Sequence, residues 1–200
     1  MRITLYVTGR EDGAVSYAAP VPLPGSVSLS LDANGEPENF YADGIAYYVI
    51  NNNMGYDGDL ELALIPESFR TDVLREKLDS KGVLIENSDA ELALFALLFE
   101  FDGDVRHIRH VMYNCSASRP KIEGKTNEEK KEVQTETLTI KATPLLDGKV
   151  KAKTGNTTDA TVYADWYKAV YLPAADPASL QADNGGKSVA DAAGNGKALS

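Results

Sequence analysis

The stretch from Gly58 to Leu78 (GDLELALIPESFRTDVLREKL) most constrains the fold, because its hydrophobic period changes in the middle. Before Pro66, Leu60, Leu62 and Leu64 alternate with mostly polar residues, the pattern of a strand with one apolar face. After Pro66, apolar residues recur at helical spacing. Proline is tolerated at the first helical position, where its missing N–H would be unpaired anyway. The sequence therefore predicts a strand and then one flanking helix over about residues 66–78.

The acidic composition of the chain bears on whether it can bind nucleic acid. The chain has 200 residues, a length that suits one domain, and its formal net charge is −10. Tight binding of nucleic acid requires Lys and Arg against phosphates, so this charge balance disfavours it. Such a chain could still surround DNA without binding it. Solubility is the simpler interpretation of the acidity.

The cysteine count and the apolar runs bear on the compartment. A single cysteine, Cys115, excludes an intrachain disulfide and is consistent with assembly in a reducing cytosol. The N-terminus lacks the basic and apolar segments of a signal peptide, so none is expected. No apolar run approaches the ~20 residues of a membrane helix. The longest, Leu92–Phe99, is predicted to be a buried strand.

Alternating residues and turn signals predict most of the remaining elements. The predicted strands are Ile3–Val7, Ser26–Leu31, a short Val83–Glu86, a hairpin of Leu92–Phe101 and Val105–Cys115 around Asp102-Gly103-Asp104, Val133–Thr143, a brief Lys149–Thr154 and a closing Val170–Leu172. Prolines at every second position make Tyr17–Gly25 an extended arm or an edge segment. A short late helix over about residues 159–168 would be capped by Thr158 or Asp159.

A long segment, Asp32–Asp57, is rich in turn residues and also in aromatic residues. A loop of this length is uncommon inside a compact domain and is usually functional or disordered. The aromatic content argues against plain disorder. We interpret the segment as a long flap that buries its aromatic residues against another surface. The alternative is that Ile45–Ile50 is an ordinary core strand.

The C-terminal end differs in composition from the rest of the chain. From Pro173 onward there is no aromatic residue and there are few large apolar ones. Such a segment cannot bury enough apolar surface to offset the entropy lost on ordering. The predicted organisation is a β domain at residues 1–172 and a flexible low-complexity tail at residues 173–200.

A search for chemical motifs argues against an enzyme. Gly124-Lys125-Thr126 resembles the end of a phosphate-binding loop, but Arg119 occupies the position where that loop needs glycine. His107 and His110 would point to opposite faces of a strand and cannot share a metal. We therefore expect no catalytic, cofactor-binding or metal-binding residues.

Four pieces of sequence, taken in order, resemble the major tail proteins of long-tailed bacteriophages with non-contractile tails. They are LPGSVSLSLDANGEPENFYADG from Leu23, GYDGDLELALIPESFRTDVL from Gly55, ETLTIKATPL from Glu136 and YADWYKAVY from Tyr163. The resemblance covers roughly residues 4–172 and rests on the order of the pieces, since none is a catalytic signature.

The resemblance implies a mainly β subunit, a tail-tube-type β-sandwich or half-barrel with one helix on its flank. Six such subunits form a ring, and stacked rings form the tube through which the genome leaves the capsid. The implied partners are the protein itself, the tape-measure protein, the tail terminator and the distal tail protein. Double-stranded DNA passes through without specific binding, and no membrane is involved. The implied location is the virion tail, assembled in the host bacterial cytoplasm.

Two sets of residues follow as hypotheses for assembly. The flap, Asn34–Tyr56, would reach the next ring, because aromatic residues are favoured at interface centres. Its candidate contact residues are Phe40, Tyr41, Asp43, Tyr47, Tyr48, Met54 and Tyr56. The bore would be lined by one face of the Leu92–Cys115 hairpin and by the Val133–Thr143 strand. The bore-facing candidates are Thr135, Thr137 and Thr139.

Three other classes of function remain as alternatives, and the third of them is a hydrolase. A small-ligand-binding β-barrel predicts a monomer with an enclosed pocket. An Ig-like surface or adhesion module predicts export and no rings.

Overall fold

The described part of the chain is mainly β, with two short helices. The computed structural model describes residues 2–5, 8–11, 14–36, 38–42, 45–50, 52–122 and 134–173, with side chains for residues 16–36, 52–122 and 134–173. The strands are β1 (Arg2–Leu5), β2 (Thr8–Glu11), β3 (Ala14–Tyr17), β4 (Val21–Pro22), β5 (Ser26–Asn34), β6 (Glu38–Ala42), β7 (Ile45–Ile50), β8 (Gly55–Leu62), β9 (Lys77–Leu78), β10 (Leu84–Ile85), β11 (Phe95–Glu100), β12 (Arg109–Ala117), β13 (Glu136–Ala142) and β14 (Lys151–Lys153). The helices are α1 (Glu67–Asp72) and α2 (Ala160–Asp165). Of the predicted tail, residues 174–200 lie outside the described residues.

Eight of the strands form one sheet. Its order is β4-β1-β11-β12-β13-β8-β5, and β14 pairs with β12 on the same side as β13. Bulges interrupt the register of β11 with β12 and of β5 with β8, and bulges increase local twist. The sheet curls into a half-barrel around a single main core. The predicted fold class, mainly β with a half-barrel sheet, is confirmed.

The main core packs against one face of the sheet. Apolar residues of β8, β11, β12 and β13 meet α1 there, and Phe69 of α1 packs edge-on against Phe95 of β11 at 5.6 Å. The predicted alternation in β13 is confirmed, since Leu138, Ile140 and Ala142 are fully buried. Thr137 and Thr139, two of the three threonines predicted to share the opposite face, alternate with these residues and are exposed.

The helix α1 is shorter than the predicted helix over residues 66–78. Pro66 lies just before the helix, not in its first turn, and the helix ends at Asp72. Arg75 then takes a left-handed φ of 60°, which redirects the chain. Lys77–Leu78, predicted on the side of the helix, instead forms β9 and pairs with β10.

The helix α2 covers the opposite face of β11 and β12. Trp166, which follows α2, is buried in a second cluster. The other buried members are Ala96, Leu98, Val111 and Tyr113. Asp159, one of the two predicted caps, caps the helix through its carboxylate, and the helix ends at Asp165, earlier than the predicted end near residue 168. The predicted closing strand at Val170–Leu172 is wrong, because residues 170–173 are irregular and unpaired in any ladder of the described strands.

The predicted edge segment and hairpin are found with altered details. Within Tyr17–Gly25, Val21–Pro22 pairs with β1 as the edge strand β4, a position that tolerates a proline without an N–H donor. The β11–β12 hairpin is confirmed, but its connection is longer than an Asp-Gly turn. The Asp104 carboxylate accepts hydrogen bonds from two backbone N–H groups, those of Arg106 and Ile108, and so stabilises the longer loop.

Within the described residues, neither helix is long and apolar enough to cross a bilayer.

Candidate assembly surfaces

One face of the sheet is polar over several adjacent strands. We call it the polar face; it comprises the outward side chains of β5, β8, the β13 segment and the end of β12. Its members are Ser28, Ser30, Asp32, Asp57, Asp59, Glu61, Ser116, Thr135, Thr137, Thr139 and Lys141. The carboxylates of β8 lie in the middle, with hydroxyl-bearing strands on both sides. This arrangement follows from the strand period of two, which sends every second residue away from the core.

Hydroxyl groups hold two of these carboxylates in place. Glu61 accepts hydrogen bonds from Thr135 at 2.6 Å and from Ser28 at 2.9 Å, so strands on both sides bind it. Thr139 donates to Asp59 at 2.9 Å. The hydrogen bonds from Thr135 and Ser28 hold the pKa of Glu61 below its ordinary value, because they stabilise the ionised carboxylate. The polar face therefore carries fixed negative charges.

Asp57 lies at the end of the polar face where the flap begins. One of its oxygens accepts a hydrogen bond of 2.7 Å from the amide of Asn34. The Lys141 ammonium lies 4.0 Å from the other oxygen, at the limit of an ion pair. That second oxygen, although buried, has no hydrogen-bond partner among the described residues. Lys141 is the single cation among the members of the polar face.

The three predicted bore-facing threonines lie together on this face. Thr135, Thr137 and Thr139 are all exposed. The other part of that prediction does not hold for β11. Phe95–Phe99 is buried along its whole length, because the main core covers one side and the α2 cluster covers the other. The carboxylates of β8, which sequence reasoning did not single out, share the exposed face instead.

The flap contains a two-stranded ribbon. The strands β6 and β7 pair with each other, from Glu38 opposite Ile50 to Ala42 opposite Ile45. The ribbon is inserted between β5 and β8, whose own pairing ends at Asn34 and Gly55. Ile45–Ile50 is thus a strand, as the alternative interpretation held, but it pairs within the flap and is absent from the main sheet's order.

The candidate contact residues of the flap are only partly placed. Asp43 lies outside the described residues, as do the side chains of Phe40, Tyr41, Tyr47 and Tyr48. Met54 is 53% exposed at the base of the flap. Tyr56 is half-buried, and its ring lies 4.3 Å from the Lys151 ammonium, which also donates to the Tyr56 hydroxyl.

The charge is distributed unevenly along the chain. Residues 11–69, which include β5, the flap and β8, contain ten acidic residues and no Lys or Arg. The remaining 20 of the 30 acidic residues are matched by all 20 Lys and Arg residues. The whole net charge of −10 therefore belongs to this one stretch. This asymmetry is visible in the sequence as a long run without Lys or Arg, whereas the total charge alone does not reveal it.

The described residues contain few groups arranged for metal binding or catalysis. It holds no group of His, Cys, Asp and Glu residues suited to a metal ion. His107 pairs with Glu100 at 2.9 Å, while His110 stacks on Phe99, so the two histidines serve separate contacts. A depression of about 280 Å³ opens beside α2, lined mainly by residues of α2 and of the segment that follows it.

Comparison with known proteins gives weak structural likeness and no family. No family model matches the chain, and no curated protein matches it significantly. Among solved structures, the chain is similar to one in the cryo-EM structure of the anti-feeding prophage (AFP) baseplate, 6-fold symmetrised. The match has 9% sequence identity and a TM-score of 0.38, and it covers 78% of this chain and 94% of that chain. At these values the likeness carries no conclusion about family or function.

Proposed function

We propose that the chain is a structural subunit that assembles into hexameric rings, which stack into the tube of a phage tail. The observation that carries this proposal is an open, curled sheet that carries the polar face along one side. The strand at the end of that side, β5, is nine residues long and, among the described strands, pairs only with β8. A long free edge of this kind favours pairing with another chain.

A ring of identical subunits would satisfy such an edge. The two ends of the described sheet, β4 and β5, are different surfaces, so contact between copies would run head to tail. Head-to-tail contacts generate closed rings when the rotation between copies closes. The short, proline-bearing β4 presents far less free backbone than β5.

The dimensions suit a channel for duplex DNA. The polar face spans four strands, namely β5, β8, β13 and the end of β12. Six copies would then contribute about 24 strands, which at ~4.8 Å per strand and ~40° tilt give a backbone diameter of roughly 45–50 Å. Side chains inside that circle leave room for a duplex about 20 Å wide.

The charge of the polar face suits passage of DNA rather than binding. Asp59 and Glu61 are held by hydroxyl groups in fixed positions, and their charge repels phosphates. Attraction by Lys or Arg would slow transit, since phosphate contacts dominate the affinity of proteins for DNA. Thr135, Thr137 and Thr139 remain our candidates for the bore, and we add Asp57, Asp59 and Glu61.

The partners and the location follow from the same proposal. Within a phage tail, the subunit would contact other copies of itself, the tape-measure protein, the tail terminator and the distal tail protein. It would assemble in the bacterial cytoplasm and act in the virion. In this role the chain is not an enzyme.

The two alternative functions, a ligand-binding barrel and an adhesion module, predict different structures. A ligand-binding barrel would require the two ends of the sheet to pair, whereas β4 and β5 are unpaired with each other in the described residues. An adhesion module would be a monomer with no hollow assembly.

Negative-stain microscopy of the concentrated, purified protein separates these functions. Six-fold rings or tubes with a central channel are the expected result. A protein that stays monomeric at high concentration, in low and in physiological salt, would contradict the proposal.

A further inference from the structure

Residues 155–172, which we call the strap, pack against the face of β11 and β12 opposite the main core and join no ladder of the described strands. They include α2, a helix of six residues, none of which is buried. A helix this short is not stable by itself in water, so its order depends on contacts with the sheet. The structure describes every residue of the strap, and Trp166 alone is buried. The strap therefore has few of the buried contacts that resist local opening.

The strap also leaves open space within itself. A depression of about 280 Å³ lies between α2 and the segment after it, lined by strap residues such as Val162, Val170 and Leu172. The Trp166 and Tyr171 rings, which stack at 5.7 Å, line another part of it. Protein interiors are close-packed, so the strap gains less from packing than the main core does.

Arg109, the first residue of β12, holds the strap through its guanidinium. The guanidinium carbon lies 3.8 Å from the centre of the Tyr163 ring and 4.8 Å from the centre of the Tyr167 ring. It also donates a hydrogen bond to the Tyr163 carbonyl oxygen. A planar guanidinium is suited to stacking on aromatic faces, and the Arg109 side chain is only 16% exposed. Two residues of the strap thus depend on the position of one cation.

The Glu100 carboxylate fixes that cation and contacts the strap directly. Its Oε2 accepts hydrogen bonds from Arg109 Nε at 3.3 Å and from the Tyr167 hydroxyl at 3.2 Å. Its Oε1 lies 2.9 Å from Nδ1 of His107 in the loop before β12. A strand, a loop and the strap therefore meet at one side chain, whose loss should loosen all of these contacts together.

The backbone of His107 is strained where it meets this network. Its φ of 48° is in the left-handed region, which residues other than glycine rarely adopt. The His107 carbonyl oxygen accepts a hydrogen bond of 3.0 Å from the Tyr163 hydroxyl, and its ring faces Glu100. Strained conformations persist where surrounding contacts hold them. Closure of the strap supplies one of these contacts directly, through Tyr163, so closure and the conformation of His107 are coupled.

We infer that the strap opens as a unit while the main core stays folded, and that Glu100 is the latch that keeps it closed. Opening exposes an apolar strip of the sheet that includes Leu98, Val111 and Tyr113, all of which are buried when the strap is closed. Apolar strips of this kind are typical contact sites, so the latch controls access to a second face of the sheet. The inference is independent of the proposed function, because it concerns a single subunit.

Hydrogen exchange of the intact protein, measured by mass spectrometry, tests the latch. The N–H groups of Tyr163, Trp166 and Lys168 are hydrogen-bonded within the strap, so their exchange reports its opening. In Glu100→Gln, a neutral amide replaces the charged partner of the guanidinium. We expect strap peptides of this variant to exchange about tenfold faster or more, with a far smaller change in peptides of β8 and β13. Trp166 is the single tryptophan of the chain, and acrylamide should quench its fluorescence more strongly in the variant.

A milder variant and a control separate the latch from a general loss of stability. Tyr167→Phe removes only the hydroxyl that reaches Glu100 and should speed strap exchange in the same direction, by less. Lys168→Gln breaks the exposed ion pair with Asp165, which lies within the strap, and should change strap exchange by about twofold or less.

Three results would overturn the inference. Strap and core peptides of the unaltered protein that exchange at the same rate would show that they open together. Equal acceleration in Lys168→Gln and Glu100→Gln would remove the special role of the carboxylate. If Glu100→Gln does not fold, Tyr167→Phe decides alone, and unchanged strap exchange in that variant would count against the latch.

Discussion

The Arg70 guanidinium donates a hydrogen bond of 2.7 Å to the Glu136 carboxylate and so joins α1 to the first residue of β13. The second oxygen of Glu136 accepts a hydrogen bond, also 2.7 Å long, from the Ile65 N–H. One side chain of the sheet thus fixes both the helix and the chain leading into it. The position of α1 relative to the polar face depends on this connection.

Replacing Glu136 should destabilise the subunit. Glu136→Ala leaves the Ile65 N–H and the Arg70 guanidinium without this partner, and we expect a loss of about 1–3 kcal/mol in the free energy of unfolding. Glu136→Gln keeps one acceptor oxygen and should cost less. Urea denaturation measures both values. The adjacent exposed Thr137→Ala serves as the control, and equal effects of Glu136→Ala and this control would contradict the assigned role.

Phe69 should be the most sensitive position of α1. It is fully buried in the main core, in edge contact with Phe95. Phe69→Ala should lower the free energy of unfolding by about 3–5 kcal/mol, because it removes apolar contacts and leaves a cavity. The matched control is Leu64→Ala, since Leu64 is 68% exposed and its loss should change stability by about 0.5 kcal/mol or less. Calorimetry or urea titration distinguishes the two, and a small effect at Phe69 would argue against the helix being part of the core.

Cys115 should be unreactive in the folded subunit. Burial raises the pKa of its thiol to about 12, so almost no thiolate forms at neutral pH. We expect a thiol reagent such as DTNB to react only at the rate at which the subunit opens, and rapidly once urea unfolds the chain. Fast reaction under native conditions would show that β11 and β12 do not enclose this side chain.

The pKa of Glu61 should depend on its two hydroxyl donors. Its pKa in the folded state lies below its ordinary value because of the hydrogen bonds from Thr135 and then Ser28. Their contribution to folding is therefore present above the ordinary carboxyl pKa and is lost as the pH falls through the lower folded-state value. In Thr135→Ala/Ser28→Ala, an NMR titration of the Glu61 side chain should show its pKa returning upward. An unchanged midpoint would mean that these hydroxyl groups do not bind the carboxylate in solution.

Sequence reasoning worked where local pattern and burial coincide. The threonine-rich strand β13 was predicted because its alternation is regular and one face of it is entirely apolar. The late helix was predicted with Thr158 or Asp159 as its cap, and Asp159 caps it, because capping is a local interaction. Such features need no knowledge of distant contacts.

The predictions were wrong or incomplete where tertiary contacts, rather than local sequence, determine the structure. The apolar spacing around Lys77 and Leu78 fits a helix, but Arg75 reverses the chain and β9 pairs with β10 instead. The predicted Asp-Gly turn is lengthened by the Asp104 carboxylate, which binds N–H groups further along the loop. The acidic ladder of β8 was missed because only the register with β5 and β13 places hydroxyl donors on both sides of it.

A cryo-EM reconstruction of tubes grown from the purified protein tests the central claim most directly. We predict six subunits per ring, with Asp59, Glu61 and Thr137 facing the axis of a channel wide enough for a DNA duplex. The free edge of β5 should be covered by a neighbouring copy. A tube whose polar face points outward, or a subunit that leaves β5 uncovered, would contradict this account.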